Sequence, residues 1–214
     1  MTEAIGNSSF DVITDEEYQR QCAVYEPFTD AVRRLIEAGI RTGVDAETLA
    51  GAQAEIEAIV DRLLAVQKPV PSIVRLADTG RPLSYANPTV GLRNAIAPPM
   101  GITHHDGPDG RCWAEFDLGL PYEGPPGLVH GGICALVLDH ILGEAASDGL
   151  TKPHFTGTIT LRYVRGTKQG PVRAEAWIDR VDGIKTFARG TLSDAEGVSV
   201  EADGIFIKPS WARE

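Results

Sequence analysis

Cysteine is scarce in this chain, with three among 214 residues. Cys22, Cys112 and Cys134 are odd in number and widely spaced, and no two stand at metal or redox spacing. A disulfide framework is therefore not expected, and a reducing, cytoplasmic setting is. Positive charge is also short: 20 Lys and Arg against 30 Asp and Glu leave a formal net charge of −10. No basic stripe meets phosphate, which argues against a nucleic-acid or anionic-membrane surface. No run reaches the roughly 18 apolar residues of a membrane span. Residues Met1–Asp15 lack the basic start and apolar core of a leader, so neither secretion nor anchoring is expected. Missing too are a Gly-x-Ser-x-Gly elbow, a Gly-Lys-Ser/Thr phosphate loop and a Gly-x-Gly-x-x-Gly after a strand, so serine hydrolase, triphosphatase and dinucleotide enzyme lose support. His104-His105 reads as strand. There adjacent rings face opposite ways, and with no third ligand at zinc spacing no metal is expected.

What is present suits one globular domain with an appendage, at 43% hydrophobic and 23% charged residues. Residues 1–67 form an N-terminal helical extension. Thr14-Asp15-Glu16-Glu17 matches a capping box, and Tyr18, Cys22, Tyr25, Phe28, Val32, Leu35 and Ile36 recur at helical steps. That helix is expected to bend or restart at Pro27. Asp45 caps a second helix with a stripe of Leu49, Ile56, Ile59, Val60, Leu63 and Leu64. The pair reads as a helical hairpin covering one flank of the main domain, or as a partner-docking arm. Residues 68–99 read as a connector with little regular structure, because prolines stand at 69, 71, 82, 88, 98 and 99.

The main domain is assigned to residues 100–214. Ile102–His105 and Arg111–Leu118 flank Gly107-Pro108-Asp109-Gly110 as a hairpin, a helix follows over 131–149, and strands are expected at Thr156–Val164, Val172–Val181, Lys185–Leu192 and Val198–Lys208. One long helix among antiparallel strands is an α+β layout in which a curved sheet must bury the helix.

The candidate chemistry lies where that helix begins. Gly124-Pro125-Pro126-Gly127-Leu128-Val129-His130-Gly131-Gly132 breaks strand pairing and leads into apolar sequence carrying Asp139. First-turn amides lack intrahelical partners and stand at the positive end of the dipole, so they suit a carbonyl oxygen that becomes anionic. A carboxylate among Ile133, Leu136, Val137, Leu138, Ile141 and Leu142 costs several kcal/mol unless paired, hydrated or used. About 12 Å of helix rise separates Gly131 from Asp139, too far for one carbonyl and its attacking water. Two antiparallel copies repair this, with Gly143 leaving room for the approach, so a homodimer or dimer of dimers sharing its sites is expected. His140 points about 100° away from Asp139 and reads as a core or interface residue. Arg162, Arg165, Lys168 and Arg173 cluster after the helix, either as a solvated turn or as a seat for phosphates.

The run from Gly124 to Asp139, with Thr156–Tyr163 and its basic turn, resembles the hotdog-fold acyl-CoA thioesterases of the 4-hydroxybenzoyl-CoA and phenylacetyl-CoA thioesterase-like superfamily. It is most similar to the branch of thioesterase superfamily members 4 and 5. The resemblance covers about residues 100–208. It implies a long central helix wrapped by a curved antiparallel sheet, and hydrolysis of acyl-CoA to free acid and coenzyme A without cofactor. Asp139 would activate water, the Gly131 amide would polarise the carbonyl, His130 would brace the loop and Thr156 would hold the water. Gly132, Arg162, Arg165 and Lys168 would contact the substrate. Gly124 stands where the wider superfamily commonly carries an asparagine. Remaining alternatives are a non-catalytic module binding acyl-CoA or a protein partner and, last, a dehydratase.

Overall fold

A computed structural model describes residues 11–68, 73–105 and 107–213. The expectation of no leader rests largely on residues 1–10, outside the described residues, as are Pro69 and Pro71 of the connector. The core is one helix and one sheet. Helix α3 (Gly131–Ala146) lies against six antiparallel strands in the order β4-β5-β7-β8-β9-β6. These are β4 (Thr103–His104), β5 (Cys112–Leu118), β6 (Phe155–Tyr163), β7 (Gly170–Asp182), β8 (Lys185–Asp194) and β9 (Gly197–Ile207). This is the expected hotdog arrangement.

Side-chain size explains the wrapping. From α3, Val137, Leu138, Ile141 and Leu142 are fully buried, and the sheet meets them with Ala114, Ala174, Ala176, Ala188 and Ala202. A Cβ at Gly190 would stand 2.7 Å from the Glu175 carbonyl oxygen and 3.3 Å from Leu142. Alanine and glycine on the sheet thus let it close tightly over the leucines of the helix. Gly143 belongs to the same fit, since a Cβ there would meet the Phe206 ring at 3.4 Å.

The N-terminal region departs from expectation in three respects. Helix α1 (Asp15–Arg41) does not restart at Pro27 but continues through it, capped by Thr14, whose Oγ1 accepts from the Glu17 amide at 3.2 Å. Helix α2 (Ala46–Leu64) buries no residue, so the two helices do not cover the flank as a packed pair. Only α1 docks: the Thr29 hydroxyl donates to the Leu92 carbonyl at 2.8 Å and Arg33 to that of Ala97 at 3.2 Å. The connector is also more regular than its prolines suggest, because β2 (Ile73–Leu76) pairs parallel to β1 (Asp11–Ile13) and antiparallel to β3 (Pro82–Ser84). Pro82 is tolerated as the first residue of an edge strand, and Gly80, at φ +70°, makes the turn before it. Among the described residues no helix is long and apolar enough to cross a membrane.

Candidate active site

The loop before α3 is closed by its own hydrogen bonds. Gly124 donates to the Leu128 carbonyl, Leu128 to that of Pro125 and His130 to that of Tyr122, each at 2.9 Å, while Gly127 turns the chain at φ +75°. A Cβ at Gly124 would fall 2.8 Å from the His130 Cα. No side chain fits there, so position 124 adds no side-chain donor to the site.

His130 caps the helix. Its Nδ1 accepts from the Gly132 amide at 3.0 Å, and its carbonyl accepts from Ile133 at 2.9 Å and Cys134 at 3.2 Å. Three first-turn donors are therefore taken, and the Gly131 amide alone has no partner among the described residues. The Gly132 amide, expected at the substrate, is engaged by the imidazole. Tyr163 closes the other side of Gly131, donating to its carbonyl at 2.9 Å. Its ring stands 3.3 Å from where a Cβ would be. Sequence reading placed no role on Tyr163.

Asp139 is half-buried on the same helix. The Thr156 hydroxyl donates to its Oδ1 at 2.9 Å, while Oδ2 has no partner among the described residues. A β-bulge makes this contact. Thr156 pairs with Phe206 but Thr158 with Ile205, leaving Gly157 as an extra residue in β6. Ile159 and Leu161 pack toward the core, and Tyr163, in phase with them, reaches Gly131. In an unbulged strand residue 157 would share their face and Thr156 would point away, so the extra residue re-aims Thr156 at Asp139. A Cβ at Gly157 would lie 2.7 Å from the Ile207 side chain. The recognisable signal was a lone glycine between alternating threonines.

The expected basic patch is largely neutralised. Arg165 grips Asp194 through both terminal nitrogens, with Nη1 at 2.7 Å, and also donates to the Gly166 and Gly197 carbonyls. The guanidinium holds Asp194 well below the usual carboxylate range. Arg162 pairs with Glu201, and Arg173 with Glu115 at 2.7 Å. Lys168 is exposed, and its ammonium forms no ion pair among the described residues.

A second helical carboxylate escaped the sequence reading. Glu144 is completely buried, with Arg81 Nη2 2.6 Å from Oε1. His104 Nε2 stands 3.5 Å from Oε2, and His140 Nε2 3.7 Å from Oε1. Burial pushes the Glu144 carboxyl up, but His104, His140 and the Arg81 charge outweigh it and hold the group at about 2. Arg81 makes the short contact; the ring nitrogens stand at or beyond hydrogen-bond reach. The available signal was a charge at Glu144 in sequence that is otherwise apolar from Ile141 to Ala146. Among the described residues no group of three or more His, Cys, Asp or Glu could hold a metal ion.

Comparison with known proteins gives the family. The profile of the thioesterase superfamily matches residues 126–201, from the loop before α3 into β9. Acyl-coenzyme A thioesterase THEM4 of Mus musculus is 29% identical over 102 residues, 46% of this chain and 43% of that protein. The chain thus spans less than half the length of that curated relative. The crystal structure of a thioesterase superfamily protein is 34% identical and superposes with a TM-score of 0.75, covering 86% of this chain and 90% of its own. Matched over most of both chains at that identity, the protein belongs to the thioesterase superfamily.

Proposed function

We propose that this protein hydrolyses acyl-CoA thioesters to free acid and coenzyme A. The observation that carries the reading is the pair of unsatisfied groups on α3: the Gly131 amide, and Asp139 Oδ2 beside a carboxylate oxygen already held by Thr156. The amide receives the thioester oxygen as it becomes anionic. Asp139 takes a proton from water, whose oxygen bonds to the carbonyl carbon. The C–S bond then breaks, and the sulfur leaves as coenzyme A thiolate to be reprotonated. Family membership supports thioester chemistry in general, and the acyl-CoA named for the mouse relative supports this substrate class.

Both groups act on one carbonyl only if two chains combine. β6 is an edge strand of the sheet, with Phe155, Tyr163 and Val164 about half exposed along or just beyond it. One end of β6 touches Asp139 through Thr156, and the other touches Gly131 through Tyr163. An antiparallel pairing of β6 with a second copy, centred near Ile159 and Thr160, would exchange those ends. Asp139 would then face the partner's Gly131, and an exposed edge would be covered. Of the four cations in the patch, Lys168 forms no ion pair among the described residues and is the one to meet coenzyme phosphate, with Arg165 shaping its turn.

The test is release of free thiol from an acyl-CoA panel. Asp139→Asn abolishes it. Gly131→Pro removes the amide at a position where proline suits the helix and follows a residue in extended conformation, at φ −60° and ψ 131°. Mixed after co-refolding, the two inactive variants regain about a quarter of wild-type activity, because half the dimers carry one intact site of two. No recovery would sink the shared site, and an active Asp139→Asn would sink the base.

A further inference from the structure

A pocket of about 450 Å³ lies away from the Asp139 half-site, between α1, β2, β3, the connector and the turn after α3. None of Asp139, Thr156, His130 or Gly131 lines it. Its walls are aliphatic, from Leu76, Leu83, Val90, Leu92, Met100 and Ile102. Its polar groups offer mainly donors. The Asn87 carbonyl oxygen is taken by the Thr89 amide at 2.8 Å and by the Thr89 hydroxyl and Val90 amide, leaving the NH₂ group to give. Tyr18 brings a phenol. Arg81 uses Nη2 on Glu144, and its Nη1 stands 3.3 Å from His104 Nε2, so other guanidinium hydrogens remain. Volume and lining fall in the range of small-molecule sites.

We propose that this pocket binds an aliphatic monocarboxylate, its chain against the leucines and its head group received by Arg81, Asn87 and Tyr18. An oxygen-only acceptor answers the donors of Arg81, Asn87 and Tyr18, and a planar carboxylate suits a guanidinium. The occupant would join α1 and the connector to the C-terminal half of α3 through the Arg81–Glu144 pair.

Calorimetric titration with octanoate, 1-octanol and acetate tests this on the whole chain. Octanoate should bind once per chain and at least about tenfold more tightly than either control. Gly101→Phe puts a ring at a residue lining the pocket, and a Cβ there meets nothing within 4 Å, so the variant should fold. It should weaken octanoate at least about tenfold, with unchanged circular dichroism. Leu83→Trp, on β3, fills the pocket from a different element and should do the same. Asp139→Asn should bind octanoate as wild type does, whether or not thioester hydrolysis is confirmed. Absence of saturable binding, equal binding of 1-octanol, insensitivity to both filling variants, or loss in Asp139→Asn would each overturn the proposal.

Discussion

Asp139 and Glu144 stand five residues apart on one helix, and their surroundings differ in every respect that sets the behaviour of a carboxylate. Glu144 is completely buried and contacts Arg81 at 2.6 Å. Asp139 is half-buried at the open edge of the sheet, holds one threonine hydroxyl and forms no ion pair among the described residues. A carboxylate locked onto a guanidinium has its basicity suppressed and joins two parts of the fold. One with a free oxygen and no cation beside it leaves that oxygen open to a water molecule. Apolar flanking sequence looks the same around both, so partner atoms decide the roles.

The largest expected effect falls on Asp139. Asp139→Asn should lower acyl-CoA turnover roughly 10²–10⁴-fold, with the urea midpoint almost unmoved. Glu144→Leu should show the inverse, a loss of about 1.5–3 kcal/mol in urea unfolding, because the half-buried Arg81 loses its charge-assisted partner. If the two variants behaved alike, the contrast would fail.

Acid tests the Glu144 side of the contrast. Glu144 is held at about 2 against an ordinary 4.5. The folded state therefore favours the ionised form, and this contribution is complete above the ordinary value and lost as pH falls toward 2. The difference is about 3 kcal/mol at 1.36 kcal/mol per unit. Urea midpoints followed from neutral pH down to about pH 2 should slope less in Glu144→Leu than in wild type.

Smaller effects refine the Asp139 side. Thr156→Val removes a hydrogen bond to a charged oxygen, worth about 1.5–3 kcal/mol, and should cut kcat by roughly ten- to a hundredfold while KM holds. His130→Ala removes the N-cap, lowering stability by about 1 kcal/mol in thermal or urea unfolding. It also frees the Gly132 amide.

Much of the domain was legible because its signals are local. Strict alternation along Cys112–Leu118 buries every second residue of β5, and Asp182-Gly183 joins β7 to β8, with Gly183 at φ +56°. The Gly-Pro-Pro-Gly loop announced the start of α3. Other features depend on residues distant in sequence. Arg81 and Glu144 are 63 positions apart, and β1 finds its partner strand across α1 and α2. The bulge at Gly157 exists only in the register of β6 against β9.

By itself the sequence determined the class of fold, the helix that carries the candidate groups and which two of them are worth testing, because spacing, capping and turn residues act over a few positions. Tertiary structure decided which groups are free. It assigned the Gly132 amide to His130, tied Arg165 to Asp194, aimed Thr156 at Asp139 and buried Glu144 on Arg81. Whether a donor, acceptor or charge is available depends on the atoms packed against it, and long-range packing is what a local pattern does not encode.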